Sequence, residues 1–252
     1  MNILARDRFG KVPLYLHREG FGQCAWASER RALPVPAAAE AVAPGYVYHL
    51  EHDRFERWYE LPPAARADHD MTRDPEAWVA RKLRDGVAKR LAADAPVCVL
   101  ASGGLDSTMI LALAARTAAS VTAFTAVMDR SSPDLAAARS ACSELGVKLV
   151  EIEVAAPTPE DMEEAVRVIE IPTKAQVEIA ALCIPLARAI SEAGFKACLS
   201  GEAADELFGG YGNMCIAASG CDDVGWRAIR VKQLAKMARG NFVRCNKAFM
   251  NG

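Results

Sequence analysis

The pattern of apolar and polar residues differs between the two parts of the chain. In residues 1–60 the apolar positions form short runs interrupted by glycine and proline, as is typical of β-strands joined by turns. From about residue 75 the apolar positions alternate between helical spacing and short continuous runs. The sequence therefore predicts a small β-rich N-terminal piece followed by a larger α/β part.

The larger part is predicted to alternate helices with strands. The predicted helices are residues 75–93, 108–117, 133–146, 159–170 and 176–194, and the predicted strands are residues 97–101, 120–128, 147–154 and 195–201. Strands and helices in this order form a mostly parallel sheet with helices on both faces. We therefore expect a doubly wound α/β fold, in which ligands bind beyond the carboxyl ends of the strands.

These patterns divide the chain into three regions. Residues 1–60 form the β-rich piece, and residues 61–74, rich in proline and alanine, are predicted to be a linker. Residues 75–252 form the α/β domain, which includes a predicted basic helix over residues 226–241. Both glycine-containing segments of interest, residues 101–107 and 199–206, follow predicted strands of this domain.

Composition and charge narrow the classes of partner. The chain has 252 residues, of which 52% are hydrophobic, enough for a sizeable core. The formal net charge is −2, so no basic excess supports a nucleic-acid partner. No apolar run reaches the roughly 18 residues of a membrane-spanning helix, and the first residues lack the apolar stretch of a signal peptide. We expect a cytoplasmic protein without a membrane or nucleic-acid partner.

Cysteines are scattered along the chain without a C-x-x-C pair. They are Cys24, Cys98, Cys142, Cys183, Cys198, Cys215, Cys221 and Cys245. Several lie inside apolar runs, as Cys98 and Cys183 do. This placement favours buried, reduced thiols over a disulfide framework or a zinc site.

A glycine-rich turn, SGGLDS, connects strand 97–101 to helix 108–117. Gly103 and Gly104 let main-chain N–H groups approach an anion, and the free N–H groups of the following helix add partial positive charge. The turn therefore suits a phosphate, with Ser102 and Ser107 as hydroxyl donors and Asp106 as a ligand for a magnesium ion beside it. No lysine follows the glycines, so this turn is not the G-x-x-x-x-G-K-[ST] loop.

Two segments of the chain resemble those of a known family. The turn SGGLDS resembles the pyrophosphate loop of the ATP pyrophosphatase (PP-loop) superfamily, whose members cleave ATP between the α and β phosphates and adenylate an oxygen of the second substrate. The segment LSGEAADELFGGYGN, residues 199–213, resembles the second nucleotide-site motif of the asparagine synthetases. This resemblance implies the adenine nucleotide α-hydrolase-like fold and an ATP-dependent ligase that forms an amide.

The resemblance also implies where ATP would bind. The adenine base would contact Ala101 and Val127, and the β and γ phosphates would lie in the turn from Ser102 to Ser107. The ribose and the α-phosphate would lie near Ser200 and Gly201. ATP and Mg²⁺ are thus the expected nucleotide and ion.

The carboxylates and two basic residues receive roles from the same resemblance. Magnesium would be held by Asp106, Asp205 and Glu206, a set of hard oxygen ligands. Glu202 would order the reacting groups or accept a proton. Arg244 and Lys247, in the segment NFVRCNKAFMNG, match the family positions that serve the substrate and the charged intermediate.

The two ends of the chain bear on its activity. Residues 1–60 are similar to the last third of a class II glutaminase domain, which uses an N-terminal cysteine to release ammonia from glutamine. The chain begins with Met-Asn and has no cysteine near its start, so we expect no glutaminase activity in cis and consider a separate glutaminase chain as a partner. At its other end the domain is expected to be truncated, because family members continue into further helices.

The implied reaction is the ATP-dependent conversion of aspartate and ammonia into asparagine, AMP and pyrophosphate. Two alternatives stay open. One is a related adenylating ligase that uses another amine or carboxylate, as β-lactam synthetases and lasso-peptide cyclases do, because residues 170–182 depart from the asparagine synthetases in the region of the substrate pocket. The other is a truncated or split nucleotide-binding protein that needs a partner chain.

Overall fold

The computed structural model describes residues 2–20, 23–60 and 73–210. These residues belong to two compact units. One unit contains the described residues up to 60 together with residues 205–210, and the other contains residues 73–204. The predicted linker lies almost entirely outside the described residues, as do the predicted basic helix over 226–241 and the segment with Arg244 and Lys247.

The N-terminal unit contains two antiparallel sheets of three strands. Its strands are β1 (Ile3–Ala5), β2 (Tyr15–Gly20), β3 (Gln23–Ala27), β4 (Glu40–Ala41), β5 (Tyr46–His49) and β6 (Arg54–Arg57). One sheet has the order β1-β5-β6 and the other the order β3-β2-β4. Leu16, Val42 and Tyr48 form a shared buried core. The predicted β-rich character of this piece is confirmed.

The second unit contains the alternating elements that the sequence predicts. They are α1 (Pro75–Leu91), β7 (Val97–Leu100), α2 (Leu105–Thr117), β8 (Thr122–Val127), α3 (Pro133–Leu145), β9 (Lys148–Glu153), α4 (Pro159–Ile169), α5 (Lys174–Glu192) and β10 (Ala197–Leu199). A short helix, α6 (Ala204–Phe208), follows β10, and its residues from 205 onward belong to the N-terminal unit. Helix α2 begins three residues earlier than the periodicity predicts, because Gly104 is its N-cap.

The four strands of this unit form one sheet with the order β10-β7-β8-β9, and every neighbouring pair is parallel. Alternate side chains point to opposite faces of a strand. On one face Val99 and Ala123 pack with residues of α1, α2 and α3. On the other face Cys98 and Phe124 pack against Leu186 of α5. Both faces are covered by helices, so the predicted doubly wound α/β fold is confirmed.

The strand order creates a topological switch point. The chain proceeds from β7 to β8 to β9 in one direction and then returns to place β10 on the other side of β7. In open α/β sheets, ligands bind in the crevice where the strand order reverses, outside the carboxyl ends of the strands. The segments that follow β7 and β10 are the two glycine-containing motifs. The fold therefore brings both motifs to this switch point.

Local sequence signals explain where the helices next to the site begin and end. The Ser132 hydroxyl caps α3 by accepting a hydrogen bond from the Asp134 N–H, and Gly146 ends α3 in the left-handed conformation. Thr158 and Asp161 form a reciprocal capping box at the start of α4. In the described part of the chain, no helix is long and apolar enough to cross a membrane.

Candidate functional site

The two adjacent glycines of the turn after β7 have different structural roles. Gly103 has φ +84°, and a Cβ at this position would collide with the carbonyl oxygen of Asp134 and lie 3.1 Å from the Ala138 nitrogen. The turn thus packs directly on the first turns of α3. At Gly104 a Cβ would meet only the Ser102 Oγ, at 3.5 Å. Gly103 is therefore required for packing, and Gly104 is the glycine that leaves the turn accessible.

Hydroxyl groups hold the turn in shape from inside. The Ser107 side chain is buried and donates a hydrogen bond to the Gly104 carbonyl oxygen at 3.0 Å. The Ser107 Oγ lies 2.9 Å from the Ser102 Oγ and also accepts a hydrogen bond from the Ser102 N–H at 3.3 Å. Ser107 thereby ties together both ends of the turn. Its hydroxyl is already bonded, whereas Ser102 is exposed at the surface of the turn.

The N-terminus of α2 presents unpaired N–H groups at the turn. Gly104 has no side chain to cap the helix, and the side chain of Leu105 in the first turn is 80% exposed. The first N–H groups of a helix have no intrahelical acceptor and carry partial positive charge. The Asp106 carboxylate, in the same turn, has no hydrogen-bond or salt-bridge partner among the described residues. This end of α2 can accept an anion on its N–H groups and a cation on its carboxylate.

The loop after β10 touches this helix end. A Cβ at Gly201 would lie 2.8 Å from three atoms of α2: the carbonyl carbon and Cβ of Asp106 and the nitrogen of Ser107. Carbon atoms do not approach so closely, so only glycine fits at position 201. Two motifs separated by almost one hundred residues are thereby joined into one surface at the switch point.

The loop from Ser200 to Ala204 is tightly wound. The Glu202 N–H donates a hydrogen bond to the Ser200 Oγ at 3.4 Å, and the Ala204 N–H donates to the Gly201 carbonyl oxygen at 3.3 Å. Between them Ala203 has φ +78°, a left-handed conformation that is unfavourable for a residue with a Cβ. This winding leaves the Glu202 side chain exposed. Strain of this kind is often found at functional sites.

Glu202 lies near a partly buried thiol of α5, that of Cys183. Burial raises the pKa of Cys183 to about 11, and the negative charge of Glu202 adds to this effect. Cys183 is therefore a neutral thiol at physiological pH. The Glu202 carboxylate belongs to the unit that contains β7, β10 and α5.

A second turn follows α6. The N–H groups of Gly209 and Gly210 both donate to the Asp205 carbonyl oxygen, at 2.7 and 3.2 Å. Gly209 has φ +79°, and a Cβ at Gly210 would collide with the Asp205 carboxylate. Gly209 and Gly210 therefore form a tight turn directly after α6.

A cleft of about 440 Å³ lies at the carboxyl ends of β8 and β9. Its lining residues are Val127, Met128, Arg130, Glu153, Val154 and Ala155. Val127, the predicted adenine contact, ends β8 and is buried. Ala101, the other predicted contact, follows β7 and donates its N–H to the Phe124 carbonyl oxygen of β8 at 2.9 Å. Both residues therefore lie at the edge of the sheet where the nucleotide is expected.

Arg130 and Glu153 are charged residues of this cleft that the sequence reasoning missed. Their side chains form a salt bridge with each other. Glu151 on the same strand accepts two hydrogen bonds of 2.7 Å from Arg139 of α3, and this contact lowers the pKa of Glu151. The sequence signal that could have identified Arg130 and Glu153 is their position, because Arg130 follows β8 closely and Glu153 ends β9, and ligands bind at the carboxyl ends of parallel strands.

The structure brings most of the predicted residues together at one edge of the sheet. Around the switch point lie Ser102, Gly103, Gly104, Asp106, Ser107, Ser200, Gly201 and Glu202. Asp205 and Glu206 belong to α6, directly after this loop. Arg244 and Lys247 lie outside the described residues, so their assignment stays a prediction.

Comparisons with known proteins agree with these motifs. Residues 78–248 match the family model described as asparagine synthase. Two curated relatives are the asparagine synthetase (glutamine-hydrolyzing) 3 of Arabidopsis thaliana, 31% identical over 220 residues, and the asparagine synthetase (glutamine-hydrolyzing) of Sandersonia aurantiaca, 30% identical over 220 residues. Each match covers 83% of this chain, but only 38% and 42% of the length of these relatives.

Solved structures show a more distant similarity. A glutamine-dependent NAD⁺ synthetase from Acinetobacter baumannii, in complex with ADP, is 17% identical with a TM-score of 0.41. That match covers 65% of this chain and 31% of the synthetase. The assignment of the family rests on the sequence match, which extends over more than half of the chain. This chain belongs to the asparagine synthase family.

Proposed function

We propose that the chain is an ATP-dependent ligase that adenylates the side-chain carboxylate of aspartate and transfers the acyl group to ammonia. The observation that carries this proposal is the contact of Gly201 with the first turn of α2, at Asp106 and Ser107. This contact joins the turn after β7 to a loop with an exposed carboxylate, Glu202, at one switch point. Membership of the asparagine synthase family supports the same reaction.

The turn after β7 would bind the β and γ phosphates of ATP. The free N–H groups at the start of α2 supply donors and partial positive charge, and Gly104 leaves room for a phosphate to approach the main chain. The Ser102 hydroxyl is accessible as a further donor. Ser107 acts inside the turn, where its hydrogen bonds keep the donors in position.

The loop after β10 would lie against the α-phosphate. A carboxylate oxygen of aspartate attacks the α-phosphorus, the bond from that phosphorus to its bridging oxygen breaks, and pyrophosphate leaves. Ammonia then attacks the acyl carbon, and AMP leaves with the electron pair of the acyl–oxygen bond. Glu202, adjacent to Gly201, is placed to accept the proton that the attacking nitrogen loses. Holding both reactants at one loop contributes much of the acceleration.

A magnesium ion would be bound at Asp106 together with the phosphates, because the described residues contain no cluster of three or more side chains that could hold the ion by themselves. Magnesium is usually bound through one or two carboxylates together with substrate phosphates, and Asp106 has an unpaired carboxylate next to the phosphate turn. Asp205 and Glu206 are proposed as the other carboxylate ligands. The ion would supply charge neutralisation for the departing pyrophosphate.

Further assignments complete the proposal. Ala101 and Val127 would contact the adenine base, Ser200 would lie near the ribose, and Arg244 and Lys247 would bind the substrate and the charged intermediate. Ammonia would come from solution or from a separate glutaminase chain, and the site of action would be the cytoplasm.

The exchange of labelled pyrophosphate into ATP tests the first half-reaction. We expect exchange that depends on a carboxylate, with aspartate the best of a panel of amino acids and dicarboxylates. We expect a Glu202→Gln variant to lose AMP formation in the presence of ammonium, and Glu192→Gln, the same change at an exposed position at the end of α5, to retain it. Retained turnover in Glu202→Gln would refute the role of Glu202, and absence of exchange with every carboxylate would refute the reaction.

A further inference from the structure

Two cysteines lie directly opposite each other on the strands that carry the two motifs. Cys98 of β7 and Cys198 of β10 are paired in the parallel ladder. Neighbouring strands lie about 4.8 Å apart, which is within the Cα separation of about 4.4–6.8 Å that a disulfide requires. Both residues are free thiols.

Both thiols lie on the same face of the sheet. Residues that are paired in a ladder point to the same side, and Cys98 and Cys198 belong to the apolar cluster that packs beneath Leu186 and Ile190 of α5. The Cys98 Sγ reaches across to β10, where it lies 3.6 Å from the carbonyl oxygen of Ala197. Cys98 is fully buried, whereas Cys198 is partly exposed on a strand at the end of the sheet order.

We propose that Cys98 and Cys198 form a reversible disulfide when the protein meets a peroxide, and that this modification acts on the two loops at the switch point. The modification is a property of the sheet, separate from the proposed ligase reaction. Its effect on the loops rests on the proposed nucleotide site.

The chemistry balances with hydrogen peroxide as the oxidant. The thiolate of Cys198 attacks one peroxide oxygen, the O–O bond breaks, and hydroxide leaves to become water, which gives a sulfenic acid. The Cys98 sulfur then attacks the Cys198 sulfur, the S–O bond breaks, and a second water leaves. The two cysteines together lose two electrons and two protons, and hydrogen peroxide is reduced to two molecules of water. A small dithiol reverses the reaction by thiol–disulfide exchange.

The environment distinguishes the attacking thiol from its partner. A hydrogen bond from the Cys98 thiol lowers the pKa of Cys198, and the same contact, together with burial, raises the pKa of Cys98. Cys198 therefore has the greater thiolate character and the greater exposure, which are the two properties that favour oxidation. Cys183, also near Cys198, has its pKa raised to about 11, chiefly by burial, and is therefore a weaker first target for the peroxide than Cys198.

The position of Cys98 and Cys198 explains why a disulfide between them would displace the loops after β7 and β10. Cys98 lies four residues before Ser102, and Cys198 lies two residues before Ser200. A disulfide draws the two Cβ atoms from the strand spacing to about 3.8 Å, a shift on the order of 1 Å. Gly201 lies close to α2, since an added Cβ there would lie 2.8 Å from Asp106, so a shift of the strands changes the contact between the two loops. We therefore expect ATP to bind at least about tenfold more weakly to the oxidised protein, since a displacement of about 1 Å at a reacting site is costly.

Peptide mapping of the full chain tests the pair directly. The reduced protein is treated with hydrogen peroxide, denatured, blocked with N-ethylmaleimide and digested without reductant. Trypsin alone leaves Cys198 on the same peptide as Cys215 and Cys221, residues 197–227, so a second protease that cleaves after glutamate is needed to release residues 197–202. We expect these residues linked to residues 91–116, which contain Cys98, and we expect dithiothreitol to separate them.

Variants and a binding assay complete the test. The link should be absent in Cys198→Ser and present in Cys183→Ser, which removes another thiol near Cys198. The peptide map of the parent protein shows the link without any variant. A link from Cys198 to Cys183, oxidation of Cys198 without a link, or no reaction at either cysteine would overturn the pair. Equal ATP affinity of the reduced and disulfide-bonded forms would overturn the effect on the loops. Failure of the reduced protein to bind ATP would instead refute the proposed function, and the peptide map would still decide the disulfide.

Discussion

Replacement of Gly201 by alanine is the sharpest perturbation of the proposed site. The new Cβ would lie 2.8 Å from the carbonyl carbon and Cβ of Asp106 and from the nitrogen of Ser107. The backbone of Gly201 is outside the left-handed region, so the collision is the main source of the cost. Optimal contacts between carbon atoms are roughly 3.5 Å or longer, so the loop and α2 must separate by about 0.7 Å.

The magnitude follows from the nature of the three atoms. Two of them belong to the main chain of a helix and cannot rotate away. Overpacking of this kind typically costs about 1–3 kcal/mol of unfolding free energy. The same separation moves the start of α2 away from the loop after β10, so we expect the dissociation constant for ATP to rise at least about tenfold, equivalent to about 1.4 kcal/mol.

Urea unfolding and titration with ATP measure these two quantities on the same protein. Gly194→Ala is the matched control, because Gly194 has φ +88°, open space around a Cβ and a position after α5. We expect it to lose roughly 1–2 kcal/mol of stability through backbone strain and to keep its ATP affinity. Gly201→Ala with the stability and ATP affinity of the parent would show that the two loops do not form one site.

Three further predictions concern stability and its dependence on pH. Ala203→Gly should raise the unfolding free energy by about 0.5–1 kcal/mol, because glycine adopts φ +78° without strain; an unchanged or lower value by urea unfolding would argue against a strained loop. Gly86 lies inside α1, and an added Cβ there would meet Arg90 of the described residues at 3.5 Å, so Gly86→Ala should raise the unfolding free energy by about 0.5–1 kcal/mol. A lower melting temperature of this variant would contradict an open helix surface at Gly86. Hydrogen bonds from the Thr158 N–H and hydroxyl lower the pKa of Asp161 in the folded protein, so the ionised carboxylate stabilises the fold above the pKa of the unfolded chain, and this stabilisation is lost as pH falls through the lower folded pKa. Asp161→Asn should therefore lower the unfolding free energy at neutral pH and lower it progressively less below about pH 4. A loss of unfolding free energy that does not change with pH would refute this linkage.

The alternation of helices and strands was predictable, because short apolar segments such as Val97–Leu100 alternate with segments of helical periodicity. The same rules failed for β4 and β6 of the N-terminal unit. The first consists of two residues, Glu40 and Ala41, and the second, residues 54–57, has three charged residues around Phe55. Both are edge strands, each paired with one neighbour, and the register of that pairing is not visible in the strand itself.

The residues of the candidate site were predictable from the sequence, whereas the structural role of each residue was less so. Gly103 and Gly104 are equivalent in the sequence, yet one packs on α3 and the other faces open space, because only the fold brings Asp134 to the turn. The strain at Ala203 and the pairing of Cys98 with Cys198 depend on a strand order that reverses after β9. Contacts of this range follow from topology, and a single sequence carries no local signal for them.

The products formed from ATP distinguish adenylation of the carboxylate from its phosphorylation. The protein is incubated with ATP, magnesium, aspartate and ammonium, and the nucleotides and phosphates are separated and quantified. We expect equal amounts of AMP and pyrophosphate, formed only when a carboxylate is present. ADP and orthophosphate as the products, or intact ATP with every carboxylate and amine supplied, would contradict the proposed adenylation.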